Sequence, residues 1–310
     1  MRAVVAGGAG FLGSHLCDAL LSRGDEVLAL DDLSTGTLDN LAGAREHPGF
    51  TFRECNVSLG ADVDGAIDAV YNLASPASPP AYLARPLETL AVGSEGTRHL
   101  LELAMARGAR FVHASTSEVY GDPEEHPQRE SYWGNVNPIG PRSVYDESKR
   151  FAEALTMAHH RAKGADVGIA RIFNTYGPRL SPGDGRVVSN FVVQALRGEP
   201  LTLYGDGAQT RSFCYVSDLV AGLLALGAAD VTGPVNLGNP FELTMRELAD
   251  RVLEATGSSV GVVPAPLPED DPTRRRPDVT LAKELLGWEP VVGFDEGLAR
   301  TIEHFRAFAT

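Results

Sequence analysis

The sequence predicts an α/β protein, a doubly wound parallel sheet with a smaller lobe on its C-terminal side. Three observations carry that prediction. Short apolar runs alternate with helical stretches through the first half of the chain. A glycine-rich turn joins the first run to the first helical stretch. Beyond about Phe173, proline and glycine recur and the helical stretches shorten. At 310 residues the chain fits one large domain or two modest ones sharing a core.

Taken in order, Ala3-Val4-Val5-Ala6 reads as a buried strand, residues 10–23 as a helix and Glu26-Val27-Leu28-Ala29-Leu30 as the next strand. Ala69-Val70-Tyr71-Asn72-Leu73 and Arg110-Phe111-Val112-His113-Ala114 are later strands, separated by a helix over about 86–107. Residues 145–163 read as a helix and 166–172 as a strand. Apolar strands linked by helices imply a sheet covered on both faces, with ligands at the carboxyl ends of its strands. In the second part Gly177-Pro178, Pro182-Gly183 and Gly205-Asp206-Gly207 punctuate shorter helices over 190–197 and 244–256, and 263–277 reads as a loop. The expected division is 1–172 for the sheet domain and 173–310 for the second lobe. Val235-Asn236-Leu237-Gly238 is expected to cross back to the sheet.

Composition excludes several functions. With 43% hydrophobic and 22% charged residues the chain folds rather than staying disordered. A formal charge of −14 without a Lys/Arg-rich block speaks against nucleic acid as a partner, although a few local arginines can still hold a small anion. Cys17, Cys55 and Cys214 are scattered without ligand spacing, so reduced core thiols and no metal are expected. No apolar run reaches the roughly 18 residues of a membrane span. A strand pattern starting at Arg2 leaves no room for a signal peptide, so a cytoplasmic location is expected.

Gly7-Gly8-Ala9-Gly10-Phe11-Leu12-Gly13 lies where the first strand gives way to the first helix. Glycines at 7, 10 and 13 permit a tight turn, close approach of a diphosphate and close helix–strand packing. The spacing is G-x-x-G-x-x-G rather than the commoner G-x-G-x-x-G, and alone such a turn is weak evidence, since some matches are only turns. Asp31 ends the second strand about 20 residues on, where an acid bonds ribose hydroxyls of NAD and repels the extra phosphate of NADP; read by itself it is also a turn or helix cap. Asp32 beside it strengthens the preference for NAD, and the sheet is expected to be of the Rossmann type.

Tyr145-Asp146-Glu147-Ser148-Lys149 sets a tyrosine and a lysine four apart, on one helical face. A free tyrosine, with a pKa of about 10, is a poor base at neutral pH. A nearby ammonium and an oxidised nicotinamide both favour the phenolate, which turns the pair into a general base. By itself the spacing also describes a surface pair. Upstream, Ser115-Thr116-Ser117 follows a strand, and Thr116 is placed to bond the reacting hydroxyl.

With these motifs the chain resembles the extended short-chain dehydrogenase/reductase family, in the branch acting on nucleotide sugars, and within it the UDP-glucuronate decarboxylases. The resemblance spans nearly the whole chain. It is most specific in Tyr71-Asn72-Leu73-Ala74-Ser75-Pro76-Ala77-Ser78-Pro79-Pro80, in Ser115-Thr116-Ser117-Glu118-Val119-Tyr120-Gly121-Asp122-Pro123 and in Tyr132-Trp133-Gly134-Asn135-Val136-Asn137-Pro138-Ile139-Gly140-Pro141-Arg142. It continues in Asp184-Gly185-Arg186-Val187-Val188-Ser189-Asn190-Phe191 and in Asp270-Asp271-Pro272 followed by Arg275 and Pro277-Asp278.

The resemblance implies NAD as a regenerated cofactor and UDP-glucuronate as substrate. Tyr145 takes the proton of the sugar 4-hydroxyl as C4 is oxidised. The carboxylate on C5 is then β to a ketone, so carbon dioxide leaves an enolate behind, and protonation and re-reduction give UDP-xylose. Thr116, Glu118, Tyr145 and Lys149 are the implied catalytic set. The implied cofactor contacts are Gly7, Gly10, Phe11, Leu12, Asp31, Asp32, Ser34, Thr35, Asn56, Val57, Leu73, Ala74, Ser75 and Thr175, with Tyr145 and Lys149. The implied substrate contacts are Ser117, Arg142, Asn174, Arg186, Val188, Asn190, Tyr204, Arg211 and Arg275.

Arginine suits the anion side because its planar guanidinium grips two oxygens. Arg142, three residues before Tyr145, is the candidate for the substrate carboxylate. Ser117 stands where similar 4,6-dehydratases carry an acid, which disfavours dehydration, while similar 4-epimerases generally lack a carboxylate at Glu118. Glu118 itself either positions a proton donor, burdens the substrate carboxylate or merely pairs with an arginine. A 4-epimerase, a decarboxylase of another uronate and a catalytically silent dinucleotide sensor remain alternative readings. Relatives are typically homodimers built from the two long helices. Three positions depart from the family pattern: Asn56 for an aspartate, Gly93 for an asparagine at about 1 kcal/mol of helix propensity, and Ser148 for a glycine. His159 and His160 carry no signal.

Overall fold

Every residue of Ala3-Val4-Val5-Ala6 is apolar, and in the computed structural model, which describes residues 1–267 and 270–307, all four are buried in a central strand. This strand is β1 (Arg2–Ala6). It is followed by β2 (Glu26–Asp31), β3 (Phe50–Glu54), β4 (Ala69–Asn72), β5 (Arg110–Thr116) and β6 (Val167–Ile172). Helices α1 (Phe11–Ser22), α2 (Pro79–Ala84), α3 (Pro86–Ala91), α4 (Thr97–Arg107) and α5 (Ser143–Lys163) connect them. The second half contributes β7 (Thr175–Tyr176), α6 (Val187–Arg197), β8 (Leu201–Tyr204), β9 (Thr210–Ser212), β10 (Cys214–Tyr215), α7 (Val216–Ala228) and β11 (Val235–Leu237). Then come β12 (Glu242–Thr244), α8 (Met245–Thr256), β13 (Val262–Ala265), β14 (Arg274–Arg275), α9 (Thr280–Leu286) and α10 (Phe294–Arg306).

The main sheet has seven strands in the order β11-β6-β5-β4-β1-β2-β3, and all its pairings are parallel. Strand periodicity divides β1 between two cores. Ala3 and Val5 join Leu16, Leu20 and Leu223 on one face, whereas Val4 and Ala6 join Leu100, Leu101 and Phe111 on the other. That two-sided burial explains why the strands are nearly continuous apolar runs. The strand at Val235–Leu237 crosses back as expected and pairs with Ala170–Ile172.

The loop expected over 263–277 needs correction. It overlaps β13, which pairs with β8, and contains β14, which pairs with β9; Pro268 and Glu269 lie outside the described residues. The prolines concealed β13, and Pro264 is tolerated there because, among the described residues, the strand pairs with β8 alone and so forms an edge. The helix expected over 86–107 is α3 and α4 joined by a π-helical turn at Val92–Gly96. Within that turn a Cβ on Gly93 would lie 2.6 Å from the Ser148 Cβ and 3.0 Å from the Ser148 carbonyl oxygen. Close packing against α5, rather than helix propensity, therefore determines residue 93.

Candidate active site

The turn after β1 leaves no room for a side chain at Gly7, Gly8 or Gly13. Gly7 has φ +79°, and a Cβ there would stand 2.7 Å from the Leu73 carbonyl carbon and 2.8 Å from the Ala74 nitrogen. A Cβ on Gly13 would run into the Gly7 carbonyl oxygen, so the start of α1 is pressed against the turn. Gly10 caps α1 without any side-chain hydrogen bond, and no acidic residue occupies the first turn. The first-turn amides, which a helix cannot satisfy internally, remain available to an anion. Asp31 closes β2 with Oδ2 accepting from the Ala9 amide and Oδ1 from the Leu33 amide, both at 2.9 Å. Burial raises its pKa against the pull of those amides.

A cleft of about 730 Å³ runs from this turn across the carboxyl ends of the strands to the second lobe. Of the cofactor residues expected from sequence, Gly7, Gly10, Phe11, Leu12, Thr35, Leu73, Ser75, Tyr145, Lys149 and Thr175 border it. Asp31, Asp32, Ser34, Asn56, Val57 and Ala74 do not reach its wall. Asp32 accepts from the Ser34 amide and Asn56 from the Ser58 amide, each at 3.0 Å, so both tie down their own loops. All the expected substrate residues border the cleft: Ser117, Arg142, Asn174, Arg186, Val188, Asn190, Tyr204, Arg211 and Arg275, together with Thr116 and Glu118.

β5 ends in Thr116 and passes into a helical turn, Ser117–Tyr120, which the Thr116 hydroxyl caps by accepting from the Glu118 amide. Facing it, α5 presents Tyr145 and Lys149 on one side, both buried. The Tyr145 ring stacks on Tyr82 with centroids 5.1 Å apart and planes 6° from parallel. Burial pushes the Tyr145 hydroxyl up to about 12, while its hydrogen bond with Thr116 pulls it down and Glu118 pushes it further up. Burial depresses the Lys149 ammonium to about 8. Its Nζ donates to the Ala114 carbonyl oxygen at 2.8 Å and lies 5.9 Å from the Tyr145 ring centre.

Across the cleft the charges alternate. Glu118 accepts from both outer nitrogens of Arg275, at 2.7 and 3.0 Å, and from Arg142 at 2.8 Å. Burial by itself would raise the Glu118 carboxyl, but Arg275 and Arg142 outweigh it and hold it down at about 2. Arg142 continues to Asp271 at 3.3 Å, and Asp271 to Arg211 at 2.9 Å. Burial, with Arg275 close by, lowers Arg211 to about 10. Three guanidiniums against two carboxylates leave a net charge of +1. Glu118 thus pairs with two arginines where sequence reasoning considered one.

Sequence reasoning missed Asp271 and Tyr82 as members of this region, although both lie inside or beside motifs that it singled out. Their partners are distant in sequence, and no local periodicity announces them. Asp184, which pairs with Arg186 at 2.6 Å, is likewise visible in the sequence only as part of a motif.

A parallel sheet with a glycine turn, a tyrosine–lysine pair and an arginine-lined second lobe defines a dinucleotide-dependent enzyme fold acting on an anionic ligand. The chain belongs to the NAD dependent epimerase/dehydratase family, whose model matches residues 3–238. Its similarity is more particular than that. It is 54% identical over 306 residues to UDP-glucuronic acid decarboxylase 1 of Arabidopsis thaliana, covering 99% of this chain and 70% of that protein. Among solved structures it is similar to a dTDP-glucose 4,6-dehydratase of Streptomyces venezuelae with NAD bound, at TM-score 0.90 and 33% identity over 99% of this chain and 97% of the other. It is also similar to a UDP-glucuronic acid 4-epimerase of Bacillus cereus in complex with UDP-glucuronic acid and NAD, at TM-score 0.89 and 26% identity over 99% and 100%.

Proposed function

We infer that this protein is a UDP-glucuronate decarboxylase, converting UDP-glucuronate to UDP-xylose with NAD as a regenerated cofactor. The observation that carries the reading is one cleft bordered by a Tyr–Thr–Lys proton-transfer set on one side and three arginines with an excess positive charge on the other. Gly7 and Gly13, where a Cβ would collide with backbone, and the uncapped start of α1 fit the diphosphate of a dinucleotide, and Asp31 at the end of β2, set back from the cleft wall, is the ribose partner in this reading. NAD bound there supplies the acceptor for the C4 hydride and its later donor.

The chain's own residues do the rest. Tyr145 takes the 4-hydroxyl proton while Thr116 orients that hydroxyl. Lys149, as an ammonium, favours the phenolate and lowers a barrier that burial would otherwise raise. Glu118, ionised at any pH near neutral, aligns Arg275 and Arg142 instead of shuttling protons. Arg142 holds the C5 carboxylate until it departs, and Arg211 and Arg275 serve the diphosphate or the sugar end.

The remaining assignments belong to the same reading. The first lobe over 1–172 carries the cofactor and the second, over 173–310, the nucleotide sugar. The enzyme works in the cytoplasm as a homodimer whose contact lies along the two long helices at about 87–106 and 145–163, where Leu87, Leu90 and Phe151 are exposed. Light scattering tests the last point.

The decisive experiment incubates purified protein with UDP-glucuronate and catalytic NAD, identifies the sugar by mass and proton NMR and follows carbon dioxide. UDP-xylose without net NADH is expected. UDP-galacturonate would make the enzyme an epimerase, and no conversion with NAD bound would overturn the choice of uronate.

A further inference from the structure

Five side chains form an alternating series in the cleft: Arg211, Asp271, Arg142, Glu118 and Arg275. The series closes on itself because Arg275 pairs with Arg211 through the backbone of β14 and β9. Its two carboxylates are held differently. Glu118 lies on a capped turn, gives both oxygens to Arg275 and touches Arg142 at 2.8 Å. Asp271 lies on the connection to β14, and its 3.3 Å contact with Arg142 is the longest in the series.

The Asp271 loop also stays in place without that contact. Asn137 donates to Asp270 at 3.0 Å, Arg211 to the Pro272 carbonyl oxygen at 2.6 Å, and the Thr273 amide to Asp122 at 3.0 Å. The Asp271–Arg142 bond can therefore open while the loop remains docked. Arg142 keeps Glu118 throughout, and a buried guanidinium that loses part of its counter-charge is costly, so an exchange of one carboxylate for another is the inexpensive way to replace Asp271.

We propose that Asp271 is an internal stand-in for the substrate carboxylate. On binding, the uronate carboxylate takes Arg142 from Asp271. When the C5–carboxylate bond breaks, its electron pair passes into the enolate of the 4-keto sugar and the carboxylate leaves as neutral carbon dioxide. Asp271 then returns to Arg142, and the product keeps no hold on that arginine. The proposal rests on the uronate reading above and makes Asp271 a specificity-determining residue for it.

Binding is measured in a Tyr145→Phe background, loaded with NAD, so that no turnover intrudes. Calorimetry gives the dissociation constants of UDP-glucuronate and of UDP-glucose, which differ at C5 by a carboxylate against a hydroxymethyl. Asp271→Asn is expected to raise the preference for UDP-glucuronate about tenfold, and adding Arg142→Gln should abolish that gain. An unchanged or reduced preference, or an equal gain without Arg142, would overturn the proposal and leave Asp271 as scaffold. Asp271→Ser serves if the asparagine variant does not fold. Turnover of UDP-glucuronate by the unaltered enzyme is assayed separately, and its failure would refute the uronate reading instead.

Discussion

The two sides of the cleft hold their charges by opposite means. At the end of β5, Lys149 keeps an ammonium in a buried position with the Ala114 carbonyl oxygen as its bonded partner, and burial dominates both its pKa and that of Tyr145. On the arginine side of the cleft Arg142, Arg211 and Arg275 each face a carboxylate, and pairing wins over burial at Glu118. The proton-transfer side is thus tuned by the removal of water, and the anion side by the counting of charges. A group that must change protonation is best left uncompensated, while groups that must stay charged are best paired.

Breaking the first side should have the largest effect. Tyr145→Phe removes the phenol and leaves the stack on Tyr82, so turnover should fall by about 10²–10⁴ while NAD binding, followed by fluorescence, is retained. Breaking the second side should show in stability. The Glu118 carboxyl sits at about 2 in the fold and near 4.5 when unfolded, so its contribution is complete above pH 4.5 and is lost as pH falls toward 2. Glu118→Gln should destabilise the protein by about 3–5 kcal/mol at neutral pH, because the buried Arg275 loses its carboxylate and Arg142 keeps only the longer contact to Asp271, and should flatten that acid limb in urea titrations.

Lys149→Met sharpens the contrast from the other direction. The fold lowers the lysine to about 8 from 10.5, so the buried ammonium burdens the fold below pH 8 and the burden lifts as pH rises through 8 toward 10.5. Replacing it should slow turnover by less than Tyr145→Phe does, yet stabilise the protein at neutral pH by on the order of 1–2 kcal/mol, read as a higher Tm. The smallest change tests the packing behind this side. Gly93→Ala gains about 1 kcal/mol of helix propensity but forces a Cβ onto Ser148, so chemical denaturation should show a net loss of about 1–2 kcal/mol.

The same contrast explains what the sequence reveals. Signals carried by neighbours along the chain are legible: the glycine turn, the tyrosine and lysine one helical turn apart, and the apolar runs of β1, β2, β4 and β5. Asp31 is placed correctly at the end of β2, although its carboxylate faces the Ala9 and Leu33 amides. β3 escapes notice because it lies at the sheet's edge and its apolar–polar alternation lasts only from Phe50 to Arg53 before Glu54 breaks it. The charge series escapes for a different reason. Arg142, Arg211 and Arg275 look alike in a sequence, and which carboxylate meets which guanidinium is decided by folding together segments as far apart as Glu118 and Arg275.

The return of β11 to the sheet also bears on how the chain is made. Synthesis proceeds from the N-terminus at about 5–20 residues per second, so β6 emerges several seconds before Val235–Leu237 exists to pair with it. In that interval the nascent first lobe carries an open strand edge along Ala170–Ile172, the kind of surface on which unfinished chains associate with one another. Whatever is encoded between β6 and β11 sets how long that edge waits on the ribosome. Insertions there would burden the birth of the enzyme before they touched its chemistry.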